Sequence, residues 1–543
     1  MKKIVHFAAS LALFASIACT RQNAVRPPLM GWSSWNAFQI NISDSLIVRQ
    51  ADLFVELGLR EAGYRNINID DGYFGYRDSL GYMIPHPERF PSGSEGMRAI
   101  VDHIHSLGLR AGIYSDGGMN TCGLIWSGDG NGRGAGLWGH DVQDAEQCFR
   151  NWNFDFIKID FCGGQEMGLD VRERYTELRH VIDSVAGRHI DINVCRWAYP
   201  GTWVAEAGDS WRMSLDVTAN WPAVKRIVRR NMYLSAYARD GHYNDMDMLV
   251  VGYNIKPSLF AREGLGKSLT YTEEEAHFGM WCIMASPLLV GCDLEYVPEE
   301  TMRIITNPEL IAVNQDPLGL QAHVVQHEGE TYVLAKDILS RHGKTRAVAL
   351  YNPAEKEAVF CVPAATFEFA GEMKVRDLNR RTDMPSCDTL RMTLQPHSAK
   401  ILKIEGRRSE PVLYEAEWGY CPDFTDIAGT GMKYIQVEGA SGRAVTTNLG
   451  GSDSNYLEWD NIYRRSGGNY VVKVRLSTPD AADFELVVNG KSYPVSSPAT
   501  DGAFIEIPVV TRMKKGDNDI RICRVTSSNA QFDCIRLISL QAL

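Results

Sequence analysis

Between Met30 and Asp316 short apolar runs alternate with longer amphipathic stretches, and this alternation limits the fold more than any other feature of the chain. Each run has the length of a strand, and each stretch after it has room for a helix. Eight candidate strands can be counted: Gly31 to Phe38, Tyr64 to Asp70, Leu109 to Tyr114, Phe154 to Asp160, Ile190 to Cys195, Trp211 to Asp216, His242 to Asp247 and Pro287 to Cys292. Eight such units in roughly 290 residues fit a (β/α)8 barrel.

In that architecture reacting groups sit where strands end at their carboxyl side. Polar residues cluster at those ends here: Asp70 and Asp71, Asp116, Asp160, Arg196, Asp216, and Asp245 with Asp247. Asp160 closes the run Phe154-Asp155-Phe156-Ile157-Lys158-Ile159, and Asp216 closes Trp211-Arg212-Met213-Ser214-Leu215. A buried strand that stops on a carboxylate directs a costly group into the space beyond it. Two such strands point to a two-carboxylate site; the alternative is that each aspartate caps the helix after its strand.

The balance of 56 basic against 67 acidic residues, a net charge of -11, argues against a nucleic acid partner and suits a neutral substrate. The chain opens with Lys2 and Lys3, an apolar stretch through Phe14, and Ser16-Ile17-Ala18-Cys19. This reads as an export signal, and it resembles a lipobox in which Cys19 is lipidated and anchors the protein to an envelope membrane; the alternative is a plain secretory peptide. With Cys19 set aside, 11 of the 12 cysteines remain in a chain bound for an oxidising compartment, which permits disulfides and leaves at least one thiol unpaired or otherwise engaged.

After Asn314-Gln315-Asp316-Pro317-Leu318-Gly319 the pattern changes to short alternating strands, such as Thr331-Tyr332-Val333-Leu334-Ala335, with no helical period. Gly406 to Pro411 reads as a polar linker, and a second all-β region begins at Tyr414 with turns at Gly450-Gly451, Gly467-Gly468 and Asn489-Gly490.

Over residues 28 to 320 the motifs resemble glycoside hydrolase family 27, the α-galactosidase and α-N-acetylgalactosaminidase family. They are Leu29-Met30-Gly31-Trp32-Ser33-Ser34-Trp35-Asn36, Asn68-Ile69-Asp70-Asp71-Gly72, Gly112-Ile113-Tyr114-Ser115-Asp116, Lys158-Ile159-Asp160-Phe161-Cys162, Trp211 through Asp216, Asn244-Asp245-Met246-Asp247-Met248, and Ala285 through Gly291, in that order. The resemblance implies that Asp160 is the nucleophile and Asp216 the general acid/base of a retaining double displacement. Such chemistry needs two carboxyl groups about 5 Å apart, one ionised and one protonated, so Asp216 is expected to carry the raised pKa. Lys158, on the same strand face as Asp160, would favour its ionised form. Arg212 resembles the family residue that holds the sugar 2-hydroxyl and, if the strand continued, would share a face with Asp216. Asp70 and Asp71 match the pair that accepts from the 4- and 6-hydroxyls of galactose, and Trp35 matches the aromatic against the apolar sugar face, whereas Trp32 reads as core. Cys122 and Cys162 match a family disulfide.

Two departures from the family pattern bear on the pocket. Gly72-Tyr73 stands where Cys-Trp is common, which removes one frequent disulfide and alters the rim. Cys195-Arg196-Trp197-Ala198-Tyr199 stands where many members read Cys-Glu-Trp, at the segment bordering the sugar's 2-position. Cationic Arg196 and bulky Tyr199 argue against room for an acetamido group there.

The C-terminal region resembles carbohydrate-binding modules of families 6 and 35, which implies a structural calcium held by Glu415, Glu417 and Asp533; the alternative is a structural sandwich with those carboxylates on its surface. Trp418, Tyr420 and Trp459 are candidates for stacking on sugar rings. The expected organisation is a leader at 1–18, a catalytic (β/α)8 TIM barrel over 25–318, an antiparallel β-sandwich over 319–405 and a second β-sandwich over 411–543. The expected activity is that of a retaining exo-α-galactosidase on galactose-containing oligo- or polysaccharides. No cofactor is expected for catalysis, and membrane contact is expected only through a lipid anchor on the periplasmic side of the outer membrane. β-L-Arabinopyranosidase or α-N-acetylgalactosaminidase activity, and a galactoside-binding protein without catalysis, are the alternatives.

Overall fold

The computed structural model describes residues 25–253, 268–427, 429 and 431–540. The leader and Cys19 lie outside them.

Eight parallel strands form one curled sheet: β1 (Met30–Ser33), β2 (Asn66–Ile69), β3 (Arg110–Asp116), β4 (Phe156–Asp160), β5 (Asp191–Val194), β6 (Ser210–Arg212), β7 (Tyr243–Asp245) and β8 (Leu288–Val290). Their order is β8-β1-β2-β3-β4-β5-β6-β7, and a parallel bridge from Leu249 to Val290 joins the two edges. This is the (β/α)8 barrel. The helices carry the signals that start them. Ser43 Oγ accepts from the Leu46 amide ahead of the helix Asp44–Glu56, which buries Ile47, Ala51 and Phe54 as one stripe. The helix Tyr271–Ile283 begins with a capping box between Thr270 and Glu273 and is buried along most of its length, because it lies between the barrel and the next domain. Gly279 makes that approach close: a Cβ there would stand 2.9 Å from the Ile401 side chain.

Seven of the eight strands are shorter than the apolar runs that announce them, and β3 alone runs on, to Asp116. The run ending at Asp216 leaves the sheet at Arg212, where the Arg212 guanidinium turns back to donate to the Ser214 carbonyl at 3.2 Å. Asp216 therefore sits on the loop after β6, and the shared strand face expected for Arg212 and Asp216 does not exist.

The middle domain has a six-stranded antiparallel sheet and a two-stranded sheet, with its own core of Val333, Leu350, Phe360, Phe367 and Leu402. The terminal domain pairs antiparallel sheets of six and four strands. Its core runs without a break into that of the barrel, through Tyr199 and Tyr237 on one side and Phe424 on the other. The aromatics that are candidates for sugar stacking have partners within the protein. Trp418 donates from Nε1 to the Val324 carbonyl at 2.8 Å, Trp459 is buried with Nε1 on the Glu415 carbonyl, and Tyr420 packs on Tyr237 beneath the Arg239 guanidinium.

Candidate active site

Beyond the carboxyl ends of the barrel strands lies a cavity of about 810 Å³, lined among others by Trp35, Asp70, Asp71, Lys158, Asp160, Arg196, Arg212 and Asp216. All eight residues expected at the catalytic and substrate-binding positions thus meet in one space.

Its floor is an ion network. Lys158, on β4 two residues before Asp160, places Nζ 3.1 Å from Asp70 and 3.8 Å from Asp160. Burial opposes its charge, but Asp70 and Asp160 outweigh that and hold the ammonium protonated. Asp160 is buried and its Oδ1 has no hydrogen-bond partner; burial raises its pKa, and Lys158 works against the rise. Asp71 is fixed by the amides of Gly72 and Gly123, each at 2.7 Å, and burial pushes its carboxyl up to about 7.

The opposite wall is built around Arg212. One nitrogen, Nη2, reaches Asp216 and Asp247, each at 2.9 Å. Asp247 also accepts from the amides of Val217 at 2.8 Å and Met248 at 2.8 Å, and burial raises it to about 6 against the pull of Arg212. Asp216 itself is 45% exposed. Asp160 is the more buried of the two, since β4 ends inside the barrel mouth and Asp216 stands on the loop after β6.

The family model described as alpha galactosidase A matches residues 27–316. The chain belongs to this family. It is 36% identical over 367 residues to alpha-galactosidase 3 of Arabidopsis thaliana, covering 66% of this chain and 77% of the plant protein. It is 35% identical over 360 residues to alpha-galactosidase A of Cellvibrio japonicus, covering 63% of this chain and 81% of that one. Among solved structures, alpha-galactosidase I of Mortierella vinacea matches with a TM-score of 0.62 at 26% identity, over 72% of this chain and all of that chain. A β-L-arabinopyranosidase of Geobacillus stearothermophilus has the same fold, with a TM-score of 0.61 at 23% identity over 70% of this chain and 96% of that one. This member of the alpha-galactosidase A family is a glycoside hydrolase.

Other residues singled out in the sequence have structural work. Asp116 is fully buried outside the cavity lining and accepts from the amides of Gly118 and Gly164, tying the loop after β3 to the loop after β4. The disulfide between Cys122 and Cys162 joins the same loops with a Cα separation of 5.2 Å, and both cysteines line the cavity. Tyr73 does not alter the rim; it is buried, with its hydroxyl on the Tyr114 carbonyl. Gly72 is required where it stands, because its φ of +115° is open to glycine and a Cβ would meet the Ile40 backbone at 2.7 Å. Tyr199 is likewise absent from the rim, being stacked on Phe424, so of the two residues expected to crowd the sugar's 2-position only Arg196 lines the cavity. Asp247 is the site residue that sequence reasoning passed over as an individual. Its signal is the alternation of Asp245 and Asp247 in the segment Asn244 to Met248; its φ of +76° has no counterpart in sequence.

The terminal carboxylates are buried rather than on the surface. Ser441 donates its hydroxyl to Glu415 at 2.9 Å and its amide to Asp533 at 2.7 Å, and Arg475 pairs with Asp533. Glu415 Oε2 and both oxygens of Glu417 have no partner. Buried carboxylate oxygens in that condition fit a hard cation taking oxygen ligands.

Proposed function

We propose that the protein is a retaining, exo-acting α-galactosidase that removes terminal α-D-galactosyl residues from oligo- or polysaccharides. The observation that carries this reading is the pair Asp160 and Asp216 in one cavity: the first is buried, salt-linked to Lys158 and has an unpartnered oxygen, and the second is exposed on the loop opposite. Asp160 attacks the anomeric carbon as Asp216 gives its proton to the leaving glycosidic oxygen, and a covalent glycosyl-enzyme forms. Asp216 then takes a proton from water, whose oxygen displaces Asp160 and releases the sugar with its starting configuration. Lys158 opposes the effect of burial and favours the ionised form of Asp160. Asp70 and Asp71 accept from the 4- and 6-hydroxyls, so the wrong epimer leaves a buried carboxylate unpaired. Trp35 lies along the apolar face of the ring.

The test is hydrolysis of aryl α-galactoside, α-N-acetylgalactosaminide and β-L-arabinopyranoside in parallel, with product anomers followed by NMR. Fast release of α-galactose from the first supports the reading. Preference for the arabinopyranoside moves the substrate to the pentose, and silence on all three favours a different glycosidic substrate or the binding protein.

The terminal sandwich is proposed as a carbohydrate-binding module stabilised by calcium on Glu415, Glu417 and Asp533. Its support is the buried carboxylate cluster and the two-sheet sandwich, while Trp418 and Tyr420 are committed to contacts with the other domains and Trp459 to the sandwich's own interior. A glycan panel on the full chain tests ligand binding. Anchoring through Cys19 to the periplasmic side of the outer membrane is proposed from the leader alone, and metabolic labelling with a fatty acid, lost in Cys19→Ala, tests it.

A further inference from the structure

Burial marks where the catalytic cavity opens to solvent. Among the residues that line it, Asp70, Asp71, Asp160, Arg212 and Asp247 are buried, whereas Trp126, Ser127, Gln165 and Leu215 are exposed. Asp216 follows Leu215 in the chain and is itself 45% exposed, so it belongs to the opening and not to the floor. In the galactosidase reading Asp216 touches the glycosidic oxygen, which therefore lies at the opening. The terminal sugar lies below it against the buried carboxylates, and the unit on the other side of the oxygen lies outside. What that unit finds there is the exposed rim.

None of the four rim residues carries a charge, and the largest is an indole. Trp126 stands near the outer end of the helix Cys122–Ser127, which leads out of the pocket. Thr121 and Cys122 are buried, the Gly123 amide holds Asp71 at 2.7 Å, and exposure then climbs to 38% at Ile125 and 78% at Trp126. The helix is fixed at both ends. The disulfide to Cys162 ties its base to the loop after β4, and Gly128, with φ of +70°, closes its far end by donating its amide to the Leu124 carbonyl at 3.2 Å. A side chain presented on a fixed base gives up little freedom when a ligand covers it. Tryptophan is among the more buried residues on average, and an indole left in water leaves a large apolar surface uncovered.

The chemistry of the rim selects what covers it. A pyranose with equatorial hydroxyls has axial C–H bonds on its ring faces, an apolar surface that suits an indole, while Ser127 and Gln165 offer a hydroxyl and an amide to the polar edge of such a ring. The volume agrees: a cavity of about 810 Å³ is of the size that encloses a drug-sized ligand, and one hexose fills only part of it.

We propose that Trp126 is the stacking platform for the leaving unit, and that the natural substrates carry a neutral pyranose next to the terminal galactosyl residue. This rests on the galactosidase reading of the pocket and names the leaving unit it prefers.

The test compares the wild-type protein with Trp126→Ala and Trp126→Phe on two substrates: methyl α-galactoside, which has no second ring, and an α-galactosyl disaccharide whose second sugar is a neutral hexose. Each substrate is its own reference, so differences in leaving-group chemistry cancel. Trp126→Ala is expected to lower kcat/KM on the disaccharide by about 10-fold, mostly through KM, and to change that on methyl α-galactoside by less than about twofold. Trp126→Phe keeps most of the disaccharide activity. Free galactose as a competitive inhibitor keeps its inhibition constant in both variants, which a distorted pocket would not allow. Equal losses on the two substrates overturn the proposal, as does an undiminished kcat/KM on the disaccharide in Trp126→Ala. If the wild-type protein cleaves both substrates and the variants show no difference between them, this proposal alone fails. If it cleaves neither, the galactosidase reading fails and this one with it.

Discussion

Tyr199 stacks on Phe424 with ring centroids 5.4 Å apart and planes 17° from parallel, so a residue of the terminal sandwich holds the loop that carries Arg196 and Trp197. Hydrogen bonds from the Asp426 amide to the Tyr199 carbonyl at 2.9 Å and from the Thr425 hydroxyl to the Pro200 carbonyl at 3.0 Å complete the clamp. Phe424→Ala empties a buried ring site, a change that costs about 3 to 5 kcal/mol in a well-packed core. The expected enzymatic effect is a rise in KM with a smaller fall in kcat, because the loop lines the cavity through Arg196 and Trp197 and does not carry the reacting carboxylates. Steady-state kinetics on a disaccharide check this, and unchanged KM in a variant with a lowered melting temperature would separate the clamp from the site.

The two carboxylates predict different defects. Asp216→Ala removes the proton donor and is expected to lower turnover of sugar leaving groups by about 10²- to 10⁴-fold, with a much smaller loss on aryl galactosides whose leaving group needs no proton. Asp160→Asn removes the nucleophile and is expected to abolish turnover on both kinds of substrate. A comparison across leaving groups of graded acidity decides the matter: equal losses for Asp216→Ala on all of them would exclude it as the acid.

The bridge between Cys122 and Cys162 closes a loop with a sequence separation of 40. By the chain-entropy relation such a loop stabilises the fold by about 4 kcal/mol. Because Asp160 stands two residues before Cys162, reduction is expected to lower activity before the barrel melts. Activity and near-ultraviolet circular dichroism followed through a dithiothreitol titration test it; loss of both together would make the bridge a matter of stability alone.

What was legible in the chain follows from how local each signal is. Eight buried strands leave eight apolar runs, so the barrel could be counted before it was seen. Strand ends could not be placed. Met213 is fully buried and Leu215 is 62% exposed within one short run, and hydrophobicity does not say which of them faces solvent. Tyr199 looked like a rim residue because its partner, Phe424, comes from a different domain and no local pattern announces that contact. The same reason turned Trp418 and Tyr420 from candidate sugar platforms into interface residues, while Trp459 is buried within the terminal sandwich. The disulfide partner of Cys122 came from family resemblance, since spacing among so many cysteines leaves the pairing open.

The acidic cluster of the terminal sandwich predicts a pH-dependent response to calcium, and its sign can be worked out. Burial raises Glu415 to about 7, well above the value near 4.3 of an unfolded glutamate, and burial with the neighbouring Glu415 carboxylate raises Glu417 as well. The folded, metal-free protein therefore holds protons that the unfolded chain has lost. Their stabilising contribution is complete below about pH 4.3 and declines as pH rises through about 7. A cation replaces those protons only where the carboxylates are ionised, so calcium must compete with them at low pH and binds freely above neutrality. At pH 8 and a calcium concentration 100-fold over the dissociation constant, the gain is about 2.7 kcal/mol, or a melting temperature higher by roughly 5 °C or more. At pH 5 the shift is expected to shrink sharply. Differential scanning calorimetry with calcium and with chelator at both pH values measures it, and Glu417→Gln is expected to remove the calcium response while raising metal-free stability at pH 8. An equal shift at pH 5 and pH 8, or none at either, would show that these carboxylates hold no cation.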